Sequence, residues 1–558
     1  MNATESFREA RDFLIKNRTD YERVRREFRW PRLQHFNWAT DWFDEIARGN
    51  HRDALQVVGP HGLEHRVSFE QMRVRSNRLA HRLLDLGLRP GDRILLMLGN
   101  VPELWELLLA AVKLQCPVIP TSTLMMPDDL RDRLERGEVR AVATDSEFVS
   151  RFHSCPSDLL KLVAGGERPG WNSLDAGKGY EDEFVPLSTT PADSPLLLYF
   201  TSGTTSKPKL VVHTHVSYPV GHLSTMYWLG VQPGDVHLSL SSPGWAKHAW
   251  SSFFAPWNAE ATILAHNFPR FDAAALLTQL VESAVTTFCA PPTVWRALLQ
   301  EPLKLHRVKL REALSAGEPL NAEVINCVRE AWGISVRDGY GQTETTLQVG
   351  NFPGQTVRPG SMGKPAPGYD IDLVTPDGVT AEEGEIAVAL QANPVGVMPG
   401  YVNDLERTEA AMRNGRYHTG DVALRDADGY LHYVGRNDDV FKSSGYRISP
   451  FELESALIEH EAVTEAAVVP SPDERRLWVP KAFVVLAAGF EPGPDTARTI
   501  LGFLAQRVSP YKRVRRIEFA SLPKTISGKI RRVDLRQSEA NRGIGDRREF
   551  EYWEEDLT

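Results

Sequence analysis

The sequence contains few cysteines and no long run of apolar residues. Four cysteines are spread over 558 residues, at Cys116, Cys155, Cys289 and Cys327, and no two of them form a C-x-x-C pair. We therefore expect neither a disulfide framework nor a zinc site, and this composition suits the reducing cytoplasm. The most apolar helix candidate, VPELWELLLAAVKL, is interrupted by charged residues and is too short to span a bilayer. The sequence thus predicts no membrane span.

A surplus of positive charge is missing as well. The formal net charge is -9 at pH 7, which argues against nucleic-acid binding as the main function. Hydrophobic residues make up 42% and charged residues 25% of the chain, as in ordinary globular proteins. The segment 1–30 lacks the apolar core of a signal peptide, so we expect no secretory leader. The length of 558 residues exceeds a single ordinary core and predicts two or more domains.

Predicted strands and helices alternate through most of the chain. Ser68 and Gln71 have the spacing of a capping box at the start of an amphipathic helix. Residues 93–100 have the pattern of a buried strand, 102–114 that of a helix and 139–145 that of a strand again. This βαβα order is typical of parallel sheets covered by helices. After Gly384 the pattern changes to short strands that we expect to be antiparallel, and the last part of the chain mixes strands with helices.

The predicted fold class is therefore α/β with two domains. A large N-terminal domain of parallel-rich βαβ sheets is expected over residues 1–437, and a small α+β domain over residues 438–558. The boundary is placed near Asp438, inside the charged junction RNDDVFKSSGYR.

The segment TSGTTSKPK, residues 201–209, combines a glycine, a run of hydroxyls and two lysines. A Walker loop requires a second glycine before its lysine, and this segment has none. Pro208 also lacks the N–H group that a phosphate cradle would use. On its own, the segment is equally compatible with an exposed polar turn after a strand.

Three further segments stand in order behind this one. They are DGYGQTETT (338–346), YHTGDVALRDADGYLHYVGRNDD (417–439) and LPKTISGKIRR (522–532). With TSGTTSKPK they resemble the motifs of the adenylate-forming superfamily, which contains acyl-CoA synthetases, adenylation domains of peptide synthetases and luciferases. The segments SAGEPL (315–320) and SSGYRISPFELE (443–454), together with Trp245 in PGW, are most similar to the acetyl and medium-chain acyl-CoA synthetase branch.

The resemblance implies a two-step reaction. A carboxylate attacks the α-phosphorus of ATP to give an acyl-adenylate and pyrophosphate, and a thiol, usually that of CoA, then takes the acyl group. The implied cofactors are ATP, Mg²⁺ and, for the second step, CoA. The implied fold adds a distorted barrel to the large domain and makes the small C-terminal domain mobile. The expected partners are small molecules only, and the protein is expected to be a monomer or a homodimer.

The resemblance also implies which residues bind ATP. These residues are Thr201, Ser202, Gly203, Thr204, Thr205, Ser206, Lys207, Lys209, Gly317, Glu318, Pro319, Asp338, Gly339, Tyr340, Gly341, Gln342, Thr343, Asp421, Arg436 and Lys529. The hydroxyls and lysines of 201–209 supply donors and positive charge for the departing pyrophosphate.

Individual roles follow from the same resemblance. Tyr340 lies against adenine, Thr343 contacts the α-phosphate, and Glu344 is a ligand of Mg²⁺, which prefers hard oxygen donors. Asp421 binds the ribose hydroxyls and Arg436 makes a second ribose contact. The same residues in isolation would suit ordinary local roles, such as Thr and Glu at a helix N-terminus.

The small domain is implied to serve both steps. Lys529 bridges the carboxylate and phosphate oxygens during adenylation, and its charge stabilises the transition state. With Thr343 and Glu344 it completes the predicted catalytic set. In the second step the thiol is implied to pass along a stretch that comprises Ser444, Gly445, Tyr446 and Arg447. Because Lys529 and Gly445 cannot face the site together, the domain is expected to rotate about a hinge at Asp438.

The sequence departs from the family pattern at a few positions. The family usually has a glycine where Ser206 stands and often another at Leu210, and the acyl-pocket motif often has an aspartate where Ser242 stands. Trp245 and His248 are the predicted acid-pocket residues, with Trp250 beside them. The polar Lys247 and His248 favour an aryl or substituted acid, unless one or both point to solvent.

Three functions remain open from the sequence. The first is a medium-chain or aryl acid–CoA ligase. The second is an adenylating enzyme with another acceptor, such as an amine or a carrier-protein thiol, or with an unusual acid such as nitrite (a diazotase-type enzyme). The third is a non-catalytic nucleotide-binding protein, which the joint presence of Glu344, Asp421, Arg436 and Lys529 disfavours.

Overall fold

The computed structural model describes nearly the whole chain. The described residues are 2–153, 155–156, 158–175, 177, 179–201, 208–318, 320–443, 446–474, 476–525 and 529–557. Within them, no helix combines the length and the apolar character that crossing a bilayer requires.

The strands of the described residues are, in chain order, β1 Asp53–Gly59, β2 Gly62–Ser68, β3 Arg93–Met97, β4 Val118–Pro120, β5 Val139–Asp145, β6 Leu160–Ala164, β7 Asn172–Ser173, β8 Pro195–Thr201, β9 Lys209–Thr214, β10 Val236–Ser239, β11 Thr262–His266, β12 Thr287–Ala290, β13 Glu312–Ala316, β14 Val336–Gly341, β15 Leu347–Gly350, β16 Lys364–Pro365, β17 Ile371–Val374, β18 Glu383–Ala389, β19 Gly400–Tyr401, β20 Met412–Arg413, β21 Arg416–Arg425, β22 Leu431–Arg436, β23 Phe441–Ser443, β24 Tyr446–Ile448, β25 Val463–Asp473, β26 Leu477–Leu486, β27 Arg516–Phe519 and β28 Glu551–Trp553.

The α-helices of the described residues are α1 Ala3–Lys16, α2 Tyr21–Glu27, α3 Asp44–Ala47, α4 Phe69–Asp85, α5 Pro102–Lys113, α6 Pro127–Arg136, α7 His222–Leu229, α8 Ala246–Ala249, α9 Ala255–Asn258, α10 Ala273–Glu282, α11 Pro292–Leu298, α12 Ala322–Trp332, α13 Leu405–Ala411, α14 Pro450–Ile458, α15 Pro494–Ala505 and α16 Arg532–Ala540. Short 3₁₀ or π turns cover Trp38–Phe43, Val149–Phe152, Trp250–Phe254, Leu303–Leu305, Leu390–Ala392, Pro510–Lys512 and Glu554–Asp556.

The chain forms two compact units, which we call the large unit and the small unit. The large unit comprises Met1–Ile371, Val388–Tyr417 and Gly429–Leu431, and the small unit comprises Asp372–Ala387, His418–Asp428 and His432–Thr558. The small unit thus holds all of the predicted C-terminal domain together with earlier strands. A functional boundary at Asp438 stays a prediction.

The large unit contains two sheets. One has nine strands in the order β16-β15-β14-β13-β12-β10-β11-β1-β2, and the other has eight in the order β19-β9-β8-β4-β3-β5-β6-β7. The pairs β10–β11, β10–β12, β12–β13 and β13–β14 are parallel, as are β3–β4 and β3–β5. The alternation in the sequence predicted these parallel sheets, and the α/β prediction is confirmed.

The central strands are buried on both faces, which explains their continuous apolar composition. All residues of β12 and β13 are buried, and so are four of the five residues of β3. Helix α4 begins where the sequence predicted a capping box. The Ser68 hydroxyl accepts from the Gln71 amide at 3.1 Å, and the Gln71 side chain accepts from the Ser68 amide at 2.9 Å.

A five-stranded sheet, in the order β17-β18-β21-β20 with β22 beside β21, corresponds to the predicted barrel and lies mostly in the small unit. The small unit also contains the β23–β24 hairpin and the four-stranded sheet β25-β26-β27-β28. Lys481 in β26 is fully buried, and its ammonium contacts the carboxylates of Glu518, Glu539 and Glu551 at 2.7, 2.9 and 2.9 Å. These ion pairs connect the last elements of the chain to the centre of the sheet.

Candidate active site

The candidate site lies at the end of the nine-stranded sheet where its parallel strands have their carboxyl ends. Strand β10 pairs with β11 on one side, and the chain then crosses to β12 on the other side. Such a reversal of strand order leaves a crevice at the carboxyl ends of parallel strands, where ligands commonly bind. The segments that follow β10, β13 and β14 are 240–245, 317–318 and 342–346. The topology therefore brings the predicted acid-pocket segment and two predicted nucleotide segments to the same edge.

Strand β14 carries the start of the adenine motif. The Asp338 carboxylate is buried and accepts from the amides of Gly339 at 2.9 Å and Leu320 at 3.4 Å. Burial raises the pKa of Asp338 to about 7. A Cβ atom on Gly339 would lie 2.4 Å from the Trp228 ring, so this position has room only for glycine.

The end of β14 touches the acid-pocket segment. A Cβ atom on Gly341 would lie 2.4 Å from Cη2 of Trp250 and 2.5 Å from the carbonyl oxygen of Thr346. Trp250 begins a π turn after α8, and its indole N–H donates to the Tyr218 hydroxyl at 2.9 Å. Such turns inside helices are frequent at functional sites. The tryptophan therefore packs directly behind the adenine motif.

The polar neighbours of the acid-pocket segment do not point freely into solvent. His248 is buried beside Trp105, with ring centroids 5.7 Å apart, and burial lowers the pKa of His248 to about 3. The half-buried Lys247 donates to the carbonyl oxygen of Ala316 at 3.2 Å, at the carboxyl end of β13. Trp245 is half-buried at the start of α8. The structure thus places the Lys247 side chain at the carboxyl end of β13.

The turn after β14 is held by its own hydrogen bonds. The Gln342 amide donates to the Thr345 hydroxyl at 3.0 Å, and the Thr345 amide donates to the Gln342 carbonyl at 3.1 Å. The Tyr417 hydroxyl donates to the Gln342 side-chain oxygen at 2.7 Å. These bonds leave Tyr340, Thr343 and Gln342 half-buried, with part of their surface accessible to a ligand.

His213 in β9 is a site residue that the sequence did not predict. Its Nε2 atom lies 2.7 Å from the carbonyl oxygen of Thr343, and its Nδ1 atom lies 3.1 Å from the Ser217 hydroxyl. A carbonyl oxygen only accepts, so Nε2 carries the proton. Burial lowers the pKa of His213 to about 3, which keeps the ring neutral. The strand that leaves the phosphate loop is therefore bound to the predicted catalytic threonine.

Glu344 and Lys209 meet at Tyr401. Thr201 and Lys209 are paired across the antiparallel strands β8 and β9, which the predicted phosphate loop joins in the sequence. The Tyr401 hydroxyl donates to Oε1 of Glu344 at 3.0 Å, and Nζ of Lys209 lies 3.4 Å from the same hydroxyl. Tyr401, like His213, was not predicted, because no motif marks it.

The arrangement around Glu344 fits a magnesium ion that a nucleotide helps to hold. Among the described residues, no three His, Cys, Asp or Glu side chains converge as a metal cage would require. Mg²⁺ commonly uses one or two carboxylates together with substrate phosphates. The half-buried carboxylate of Glu344 supplies such an oxygen, and the ammonium of Lys209 approaches the same Tyr401 hydroxyl that Glu344 binds.

The predicted ribose residues lie together in the small unit. Asp421 is buried, and its Oδ1 atom accepts from the Tyr433 hydroxyl at 3.2 Å and from Nη1 of Arg436 at 3.4 Å. Nε of Arg436 is also 3.5 Å from the carboxylate of Asp438, the predicted hinge. Gly420 has a φ of +74°, which favours glycine next to Asp421.

Lys529 is exposed in the small unit. Its backbone N–H donates to the Thr525 hydroxyl at 3.1 Å, and its carbonyl oxygen accepts from the Thr525 amide at 2.8 Å. The Lys529 ammonium makes no hydrogen bond or ion pair to the rest of the described chain. The bonds to Thr525 thus hold the backbone of Lys529, whose charge no described side chain neutralises.

A basic recess of about 140 Å³ lies beside the β23–β24 hairpin. Its lining includes Ser443, the last residue of β23, together with Arg476, Arg513 and Arg515. Glu554 pairs with Arg515 and lies 3.8 Å from Arg513. The guanidinium groups outnumber the acidic partner, so the recess suits an anion.

Several predicted residues are not located by the structure. Ser202, Gly203, Thr204, Thr205, Ser206, Lys207, Pro319, Ser444 and Gly445 lie outside the described residues. The backbones of Tyr446 and Arg447 begin β24. Gly317 has a φ of +103° and Glu318 is half-buried, immediately after β13.

Two family models match the chain. The model of AMP-binding enzymes matches residues 43–402, and the model of the AMP-binding enzyme C-terminal domain matches residues 452–529. Together they include the phosphate loop, the adenine motif and Lys529.

Individual proteins are similar over almost the full length. The chain is 42% identical over 519 residues to 4-hydroxybutyrate–CoA ligase 1 of Metallosphaera sedula, covering 91% of each protein. It is 36% identical over 554 residues to the mitochondrial acyl-coenzyme A synthetase ACSM3 of Mus musculus, covering 96% of each. Among solved structures, the anthranilate CoA ligase AuaEII in complex with anthranoyl-AMP has a TM-score of 0.82 at 29% identity, covering 91% of this chain and 98% of that one.

Proposed function

Since the chain belongs to the family of AMP-binding enzymes and is an ATP-dependent, AMP-forming acid–thiol ligase, we propose that it converts a medium-chain or aryl carboxylic acid into its CoA thioester. The observation that carries this proposal is the convergence of Lys209, Thr343 and Glu344 around His213 and Tyr401. The residue proposed as the metal ligand, the lysine proposed to bind phosphate and the turn after β14 are thereby connected by hydrogen bonds.

In the first step, the acid's carboxylate attacks the α-phosphorus of ATP and pyrophosphate leaves. Two anions must approach each other, so positive charge and fixed donors lower the barrier. Lys209 supplies charge toward the departing pyrophosphate, and Thr343 supplies a hydroxyl at the α-phosphate. Mg²⁺ held by Glu344 would neutralise phosphate charge. Asp421 and Arg436 bind the ribose in this proposal, and the exposed ammonium of Lys529 acts on the carboxylate and phosphate oxygens.

In the second step, the CoA thiolate attacks the acyl carbonyl and AMP leaves. We propose that the basic recess binds phosphate groups of CoA, since it lies next to the hairpin that carries the predicted thiol path. The proposed rotation of residues 438–558 about Asp438 would exchange Lys529 for this hairpin between the steps. Gly445 remains the proposed point at which the pantetheine arm passes close to the backbone.

The relatives and the pocket segment both favour a functionalised acid among the candidates. One relative is named as a ligase of 4-hydroxybutyrate, and a solved neighbour is named as a ligase of anthranilate. In this chain, the half-buried Lys247 lies in the short helix that follows Trp245 and precedes Trp250. An acid with a polar substituent would have a hydrogen-bond partner there, whereas a plain alkyl chain would not use it.

The central test is pyrophosphate release over a panel of acids. We expect release that depends on the acid, with AMP formation sustained by CoA, for some of butyrate to decanoate, 4-hydroxybutyrate, benzoate and anthranilate. Activity with nitrite alone, or only in the presence of an amine, would instead support the diazotase-type alternative. Pyrophosphate release in the absence of any acid would support neither the ligase nor the diazotase-type function. A cytoplasmic location and a monomeric or homodimeric state stay predictions.

The acceptor is tested with Arg476→Ala, which removes one guanidinium from the basic recess. We expect the KM for CoA to rise about tenfold, as for the loss of one charged hydrogen bond. The KM for pantetheine, which lacks the nucleotide, should stay unchanged. An equal change for both thiols would contradict a nucleotide site in the recess, and use of a carrier protein alone would contradict CoA as the acceptor.

A further inference from the structure

Tyr401 connects two groups that the proposed reaction needs. It lies in β19, which pairs antiparallel with β9 so that Tyr401 faces Val211. Its side chain is buried, its hydroxyl donates to Glu344 at 3.0 Å, and Nζ of Lys209 approaches the hydroxyl at 3.4 Å. The same ammonium lies 4.7 Å from the centre of the tyrosine ring.

A phenolic hydroxyl suits this location because it donates and accepts at once. The carboxylate of Glu344 only accepts and the ammonium of Lys209 only donates, so one hydroxyl between them satisfies both. We propose that Tyr401 is a positioning residue that orients the Glu344 carboxylate toward Mg²⁺ and keeps Lys209 beside it. This inference rests on the metal role of Glu344 in the proposed function.

The backbone at Glu344 is held independently of Tyr401. The Met398 amide donates to the Glu344 carbonyl at 2.8 Å, and His213 donates to the Thr343 carbonyl at 2.7 Å. Loss of the hydroxyl would therefore leave the turn in place and free only the carboxylate. The ring contact with Lys209 would also remain in a phenylalanine variant.

The experiment compares Tyr401→Phe with the wild type in Mn²⁺ binding by electron paramagnetic resonance, in the presence of ATP. We expect Mn²⁺ to bind about tenfold more weakly, as is typical when a partner of a metal ligand is removed. The Mg²⁺ concentration for half-maximal pyrophosphate release should rise by a similar factor. ATP binding measured calorimetrically with EDTA, and the KM for the acid, should stay unchanged.

Tyr430→Phe provides a matched control. Tyr430 is also buried, its hydroxyl donates to the Thr356 carbonyl at 2.9 Å, and the ammonium of Lys364 lies 4.9 Å from its ring. Its removal should not change metal binding. Glu344→Gln should weaken Mn²⁺ binding. Adding Tyr401→Phe to this variant should cause no further loss of affinity, because both substitutions act through the same interaction, that of the Glu344 carboxylate with the metal.

Wild-type Mn²⁺ affinity in Tyr401→Phe would overturn the inference, and so would a loss that Tyr430→Phe shares. The proposed function fails separately. If the wild-type protein releases no pyrophosphate with any acid, the reaction is wrong, whereas the Mn²⁺ measurements still decide the role of Tyr401.

Discussion

Replacing Lys529 with alanine tests whether this lysine acts in adenylation but not in thioester formation. The Lys529 ammonium is exposed and bonds to no described side chain, so its removal leaves no buried group without a partner. Surface changes of this kind usually alter stability by less than about 0.5 kcal/mol. The variant should therefore fold normally and differ only in catalysis.

The expected catalytic loss follows from the proposed role of the charge. Removing one positioned donor from a transition state costs about 3–4 kcal/mol, which is a rate factor of about 10² to 10³. This loss should appear in pyrophosphate release from acid and ATP. Thioester formation from a supplied acyl-adenylate and CoA should keep the wild-type rate, because Lys529 is proposed to face the site in the first step only.

Lys524→Ala is the matched control. Lys524 belongs to the same segment and pairs with Glu465 at 2.7 Å, with both side chains partly exposed. An exposed ion pair of this type contributes about 0–1 kcal/mol, so both half-reactions should survive its loss. Equal losses in the two half-reactions of Lys529→Ala, or no loss in either, would refute the assignment.

Trp245→Ala should change the preference among acids, with kcat/KM for the best acid falling about 10- to 200-fold while ATP binding without acid stays constant. An unchanged acid profile would remove Trp245 from the pocket. Glu106→Gln concerns stability, because burial raises the pKa of the Glu106 carboxyl from 4.5 to about 7. Between those values the folded protein binds a proton that the unfolded chain releases, so the wild type loses stability as pH rises and the glutamine variant does not. Urea unfolding should show a gap in favour of Glu106→Gln that grows by on the order of 3 kcal/mol from pH 4.5 to 8, and a constant gap would contradict the shift.

The parts of the fold that depend on local sequence could be predicted. The capping box at Ser68, the buried strand β3 and the helix that follows it lie where periodicity and end signals placed them. The segments 201–209, 338–346, 417–439 and 522–532 could be predicted to bind a nucleotide for another reason, because their residue order is characteristic of a known family. The parallel topology then explains why segments far apart in sequence reach one edge of a sheet.

The contacts that assemble the site could not be predicted. His213 and Thr343 are 130 residues apart, and Tyr401 and Glu344 are 57 residues apart. No periodicity in a single sequence reports such pairs, because they depend on how two sheets pack. The burial of His248 could not be predicted for a similar reason. A four-residue helix is too short for its sequence pattern to show which side chains are buried.

The alternation of side chains along strand β9 limits how the length of this strand can change during evolution. Side chains alternate between the faces of a strand, so Lys209, Val211 and His213 share one face, with Val211 opposite Tyr401. A single inserted residue within β9 would turn His213 away from Thr343 while Lys209 kept its place. The register of β9 therefore cannot change without separating His213 from Thr343. Divergence of this protein is expected to preserve the number of residues in this strand.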